Sequence, residues 1–152
     1  MAEEKVLVDT DIIIDWLKGL KWTKKLFSSQ QISLYYSFIT KKELLAKEGL
    51  TAMERQKIKK CLGLMRLITI DKEIATVYSC LRTKYSKQNL EKEDAIIAAT
   101  ALVKKLPLLT RNIKHFEFIK ELSLYSKTLL SINGNNRIDF RRLVRNSKTI
   151  KG

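Results

Sequence analysis

Lys5-Val6-Leu7-Val8-Asp9-Thr10-Asp11-Ile12-Ile13-Ile14-Asp15-Trp16-Leu17 changes its periodicity in the middle. Val6 to Val8 form an apolar run of the length of a buried strand, and Asp9 closes it. From Ile12 the apolar residues recur at helical spacing through Trp16 and Leu17, with Thr10 or Asp11 available as the N-cap and Gly19 as the stop. The segment is a strand-to-helix corner with a carboxylate at the carboxyl end of the strand. Ligands bind at that end in open α/β sheets, which makes Asp9 a candidate functional residue. The competing explanation, that Asp9 only caps the next helix, is weakened because Thr10 and Asp11 stand ready for that task.

The same alternation repeats outward from this corner. Trp22 to Phe27 suits a second short helix, Ile32, Leu34 and Tyr36 alternate with polar neighbours as a strand does, and Thr40 opens another helix. Helical spacing from Met53 through Ile58, Leu62 and Met65 precedes the strand-like Leu67-Ile68-Thr69-Ile70; Asp71 then caps a helix carrying Ile74, Val77, Tyr78 and Leu81. Residues 86–90 read as a loop, whereas residues 93–105, EDAIIAATALVKK, are apolar almost all round and require a buried helix. Leu106 to Thr110 gives a further strand with Pro107 at its start, followed by the corner Arg111-Asn112, a helical piece near Phe116 to Ile119 and an edge strand at Leu122 to Tyr125. Strands alternating with helices predict an α/β fold, a parallel sheet of four or five strands with helices on both faces. Residues 1–132 read as one domain. Residues 133–152 read as a basic C-terminal appendage, either a helix or a mobile tail, offering Arg137, Arg141, Arg142 and Arg145 to RNA or an acidic partner.

The 152-residue chain sets 30 Lys plus Arg against 16 Asp plus Glu, a formal net charge of +14. A field of that sign draws polyanions, and RNA or DNA is the commonest polyanion a soluble protein meets. With 45% hydrophobic residues and one Pro, the chain can bury a core and does not have the composition of a disordered one. Cys61 and Cys80 make neither a disulfide framework nor a paired thiolate motif. The N-terminus carries acids where a secretory signal carries cations, and no apolar run nears the roughly 20 residues of a membrane span. The expectation is a soluble, cytoplasmic protein.

Carboxylates are scarce here, so those in apolar surroundings carry information. Asp94 precedes Ala95-Ile96-Ile97-Ala98-Ala99 and sits in the first turn of the buried helix, with small Ala98 and Ala101 along its face. Glu91 and Glu93 already serve the helix dipole, which leaves Asp94 free for another role. Glu43, in Thr40-Lys41-Lys42-Glu43, fits a capping box equally well. Asn112 follows Leu108-Leu109-Thr110-Arg111 at another corner, as a cap or as a polar contact to a metal's water. His115 is the single histidine, so no multi-histidine zinc site or triad can be built, and phosphate-loop, dinucleotide and serine-hydrolase motifs are absent. Asp9-x-Asp11 after a strand leaves open a haloacid-dehalogenase-like phosphatase, although no late acidic pair follows the strand at Leu106 to Asn112.

V-L-V-D-T-D-I-I-I-D-W-L (6–17), T-K-K-E-L (40–44), E-D-A-I-I-A-A-T-A (93–101) and L-L-T-R-N-I-K-H-F (108–116) resemble, in that order, the motifs of PIN-domain nucleases, and among them the VapC-like toxins of toxin–antitoxin pairs. The resemblance covers residues 5 to 126. It implies a compact parallel sheet with Mg²⁺ or Mn²⁺ at the carboxyl ends of the strands, an endoribonuclease that hydrolyses RNA phosphodiester bonds with a metal-activated water, a small antitoxin partner, and a homodimer burying apolar side chains of early helices. Matched by motif, Asp9, Glu43 and Asp94 are the metal-binding and catalytic acids, with Asn112 beside them. Asn112 and His115 stand where members of the family carry Asp, which implies one firmly held metal and a second held only with the substrate phosphate; Asp11 stands where Asn or Ser is also common. Arg111 and Lys114 are the candidate phosphate contacts. Two carboxylates about 4 Å apart repel by roughly 4 kcal/mol at an effective dielectric near 20, so three converging acids need a cation or a raised pKa. A non-catalytic, basic RNA-binding module on the same fold is the alternative.

Overall fold

A computed structural model describes residues 3–132 and 138–143, and the side chains through residue 125. In chain order the elements are β1 (Glu4–Val8), α1 (Thr10–Leu17), α2 (Lys21–Ser28), β2 (Ile32–Ser37), α3 (Phe38–Leu45), α4 (Ala52–Leu62), β3 (Arg66–Ile68), α5 (Lys72–Lys84), α6 (Lys92–Lys104), β4 (Leu108–Leu109), β5 (Leu124–Ile132) and β6 (Ile138–Leu143), with short 3₁₀ turns at Ser86–Gln88 and Ile113–His115. They form one sheet in the order β3-β2-β1-β4-β5-β6. The first five strands run parallel and β6 pairs antiparallel with β5.

β1 explains its own sequence. Val6 and Val8 point to one face and pack with Ile12 and Ile13 of α1, Leu26 of α2 and Ile58 and Leu62 of α4. Leu7 points to the other and packs with Ile74 and Leu81 of α5 and Ile97, Ala98 and Ala101 of α6. A strand covered on both faces has no polar side to alternate with, hence the unbroken apolar run. β4 divides in the same way, Leu108 to the α5–α6 face and Leu109 to the other. The chain steps outward from β1 to β2 and β3, then returns through α5 and α6 to place β4 on the other side of β1. The order therefore reverses between β1 and β4, and the crevice at their carboxyl ends is the switch point of the sheet.

Several expectations shift. Thr40 does not start a helix: Ser37 is the N-cap of α3, its side chain accepting from the Ile39 amide. The capping box belongs instead to Thr51 and Glu54 at the start of α4. The helical piece near Phe116 to Ile119 is replaced by the 3₁₀ turn Ile113–His115 followed by turns, in which Phe116, Ile119 and Leu122 are wholly buried against α5 and α6. The edge strand at Leu122 to Tyr125 is the beginning of the longer β5, and β6 lies outside it. Within the segment read as an appendage, Ile138-Asp139-Phe140-Arg141 alternates with period two and forms β6 rather than a helix. Arg141 and Arg142 lie on β6; Arg137 and Arg145 lie outside the described residues.

Ile97, 1% exposed, joins α6 to the sheet. Ile97→Ala removes that packing and leaves a cavity, for an expected loss of about 3 kcal/mol, read in calorimetry as a fall in Tm of roughly 6–12 °C for a chain of this size.

Candidate active site

The site is built from four element ends. Asp9 ends β1 and is itself the N-cap of α1, its Oδ1 accepting from the Thr10 amide at 2.8 Å. Thr10 and Asp11, the caps expected from sequence, are thereby released. Asp9 Oδ2 accepts from the Thr110 hydroxyl at 2.7 Å, across the gap between β1 and β4. That hydroxyl has one proton. It goes to Asp9 rather than to Asp11 Oδ2, which lies 3.5 Å away, while the oxygen accepts from the Asn112 amide at 3.0 Å. Asp11 Oδ2 accepts from the Arg111 amide at 2.9 Å, and Asp11 Oδ1 is buried with no hydrogen-bond partner among the described residues.

On the β2 side, Glu43 reaches from α3 to Thr10, whose hydroxyl donates to Oε1 at 3.2 Å. Since the Thr10 proton is used there, the contact with Thr40 Oγ1 at 3.0 Å has Thr40 donating. The ordinary explanation of Glu43, a capping box, thus fails, because Thr40 is a buried residue within the helix and is spent on Thr10. Asp94 lies in the first turn of α6, and its Oδ2 is 3.2 Å from Nδ1 of His115. Asn112 contributes its backbone to the Thr110 corner and makes no side-chain cap. Arg111 turns to Asp15, with Nε 2.7 Å from Oδ2, and Lys114 is exposed on the adjoining 3₁₀ turn.

The electrostatics are those of an under-compensated negative centre. Burial pushes Asp9 up, against the hydrogen bonds from Thr110 and Thr10. Burial and then the charge of Asp9 raise Asp11 to about 7. Burial and the charge of Asp9 raise Asp94 to about 6, with His115 pulling the other way. Glu43 is raised by burial, and the charges of Glu93, Asp9 and Asp94 add to this against the Thr10 hydroxyl. Asp9, Glu43 and Asp94 therefore sense one another across the crevice. Cys61, raised to about 12 by burial, is an unreactive core thiol.

Such a centre suits a hard divalent cation, which would neutralise the mutual repulsion and use the free lone pairs of Asp9 and the unpartnered Asp11 oxygen nearby. Among the described residues no three His, Cys, Asp or Glu side chains close around a single point. Mg²⁺ tolerates this, since it commonly keeps several waters and takes one or two carboxylates. From Thr10 and Glu43 a cavity of about 600 Å³ runs between α1, α3 and α4, walled by Ile14, Leu17, Leu44, Leu50 and Ile58, with Lys18, Lys47 and Lys57 also lining it.

Thr110, Thr10 and Asp15 were not among the candidates read from sequence. Thr110 carries the same signature as Asp9, a polar residue closing an apolar strand, and Asp15 lies one turn from Asp11 on an apolar helix. No described helix is long and apolar enough to cross a membrane.

Comparison with known proteins places the arrangement. The PIN domain family matches residues 6–121. Ribonuclease VapC1 of Methanocaldococcus jannaschii is 33% identical over 130 residues, covering 82% of this chain and 90% of that protein. A toxin–antitoxin complex from Klebsiella pneumoniae contains a chain 31% identical, with a TM-score of 0.64 and coverage of 77% of this chain and 94% of that one. VapBC2 of Rickettsia felis, bound to a DNA fragment from its promoter, shares the fold at 22% identity with a TM-score of 0.74, over 80% of this chain and 98% of that one. With the four motifs in order and the acids gathered at the switch point of the sheet, the chain belongs to the PIN-domain family as a VapC-like member.

Proposed function

We propose that this protein is a divalent-metal-dependent endoribonuclease acting as the toxin of a toxin–antitoxin pair. The observation that carries the reading is Asp9, held by Thr110 and Thr10 at the switch point with its proton affinity raised, and electrostatically coupled to Asp94 and Glu43. The net charge of +14 supplies the attraction for the RNA backbone. A haloacid-dehalogenase-like role for Asp9 and Asp11 is set aside, because the chain is a PIN domain and Asp11 is buried on the Arg111 amide.

Asp9 and Asp94 would hold Mg²⁺ or Mn²⁺, and Glu43, its Oε1 accepting from Thr10, would hold it or orient the attacking water. Once bound, the ion lowers the pKa of a water and offsets charge on the phosphodiester, so that in-line hydrolysis becomes feasible near neutral pH. Each Asp9 oxygen accepts one hydrogen bond and keeps a lone pair for the ion, so the carboxylate is oriented before anything binds. Lys114, exposed on the turn Ile113–His115, would contact a substrate phosphate. Asn112 gives this corner a neutral side chain, which favours one firmly held ion and a second only with the phosphate present.

A small antitoxin is the expected protein partner, by likeness to the solved toxin–antitoxin complexes. The apolar cavity beside Glu43 would offer it a seat from which it also blocks the site. We place a homodimer contact on the outward face of α3, where Phe38 is 41% exposed above a shallow hollow shared with Lys41, Lys42, Leu45 and Ala46.

Asp9→Asn is expected to lower Mn²⁺- or Mg²⁺-dependent cleavage of single-stranded RNA by at least roughly 100-fold, with the circular dichroism spectrum unchanged and Tm equal or higher. EDTA is expected to abolish cleavage by the parent chain. Salt-sensitive RNA binding without products would instead make the protein a non-catalytic binding module. For pH, Asp9, Asp11 and Asp94 all hold protons more tightly folded than unfolded, so the folded state binds more protons and stability falls as pH rises from about 4 to above 7. The metal-free protein should therefore show a lower Tm at about pH 8 than at about pH 5, Mg²⁺ should recover part of the difference, and Asp11→Asn should flatten it; a flat profile in the parent chain would contradict the charge clustering. Phe38→Glu is expected to convert a dimer to a monomer in light scattering after gel filtration, and persistence of the dimer would move the interface off α3.

A further inference from the structure

Asp15 and Arg111 lie beside the carboxylate centre, and neither is needed to hold an ion. Asp15 is 3% exposed, one helical turn beyond Asp11 on α1. Its Oδ2 lies 2.7 Å from Nε of Arg111, as a close charge contact rather than an aligned hydrogen bond. Arg111 is pinned a second time through its backbone, which donates to Asp11 Oδ2. Its predecessor Thr110 donates to Asp9 Oδ2, and its successor Asn112 donates to Thr110 Oγ1. Two consecutive residues after β4, Thr110 and Arg111, are thus tied to three acids of the β1–α1 corner, and Asn112 braces the first of them.

We infer that Asp15 and Arg111 form a latch that fixes the end of β4 on α1 and so holds the Thr110 hydroxyl on Asp9, making both positioning residues and removing Arg111 from the substrate-phosphate contacts. A buried carboxylate needs donors or a counter-charge in place of its lost hydration, and in this corner the guanidinium of Arg111 is the cation in contact with Asp15. Turning that guanidinium out to a phosphate would strand Asp15. Holding it inward fixes the backbone of Arg111, and with it the direction of the Thr110 side chain one residue earlier. Thr110 and Thr10 each take one lone pair of Asp9 and so aim the remaining two at an ion, and a loosened corner would let the carboxylate rotate. The side chain of Arg111 is 38% exposed, so its outer edge faces solvent and the alternative, a phosphate contact, is open to direct test.

The inference rests on the nuclease reading for its kinetic readout alone. Asp15→Asn, Arg111→Gln and the double variant are compared with the parent chain in initial-rate cleavage of a single-stranded RNA oligonucleotide with Mn²⁺. Each single variant is expected to lower kcat by roughly tenfold or more with KM within about twofold, and the double variant to be no worse than the worse single one. Binding of the same RNA to metal-free protein should keep its salt dependence in Arg111→Gln. Without RNA or metal, hydrogen exchange at the Arg111 and Asn112 amides should speed up by about tenfold in Asp15→Asn. If Arg111→Gln raises KM and cuts the salt slope by about one, while Asp15→Asn leaves the amides protected, Arg111 is a phosphate contact and the latch is overturned. A parent chain that cleaves no RNA would remove the nuclease reading, and the exchange measurement would then decide the latch by itself. Should Asp15→Asn not fold, Arg111→Gln, altered on the solvent-reaching partner, is put through the same exchange measurement.

Discussion

Three acids within seven residues, Asp9, Asp11 and Asp15, are buried where the sheet changes direction. Taking carboxylates out of water is strongly unfavourable unless donors and counter-charges replace the hydration. The replacement comes mostly from the end of β4, as the Thr110 hydroxyl, the Arg111 amide and the Arg111 guanidinium, across about a hundred positions of sequence. Much else is arranged to permit this. β4 must lie directly against β1, and α6 must approach closely enough to bring Asp94 to the crevice, which its buried face of Ala95, Ala98, Ala99 and Ala101 allows.

The compensation is partial. Hydrogen bonds orient Asp9 and Asp11, yet both remain harder to ionise than ordinary carboxylates, as do Asp94 and Glu43. The fold holds a knot of negative potential inside a chain of strongly positive net charge. For a phosphodiester substrate these two features act at different ranges. Under the proposed nuclease reading, the outer field would concentrate the polyanion, whereas the inner knot would repel it until a divalent cation is bound. On that reading the cation would be a condition of productive binding as well as of chemistry.

Local pattern explains which expectations survived. The β1–α1 corner, the buried α6 and the parallel α/β architecture rest on periodicity and on apolar runs, properties of neighbouring residues. The corrections arose where two local signals competed or where the partner was distant. Thr40 and Glu43 satisfy the capping-box spacing, but Ser37 lies at the true turn out of β2, so Thr40 is carried inside the helix and Glu43 is released toward Thr10. The sequence offers Thr10 and Asp11 as caps in place of Asp9, whereas in the fold Asp9 caps α1 with one oxygen and faces Thr110 with the other. The basic tail hid a strand because its charges obscured the alternation of Ile138 and Phe140.

The sequence by itself determined the element types from β1 through β4, the two-sided burial of β1 and the carboxyl-end position of Asp9, because each follows from residues within a turn or a strand of one another. Only the tertiary structure decided that β4 would neighbour β1, that Thr110 would be the partner of Asp9, and that Arg111 would face Asp15. Strand order and long-range hydrogen bonds are settled by how the whole set of apolar faces and buried charges can be satisfied together, and no window along the chain contains that information.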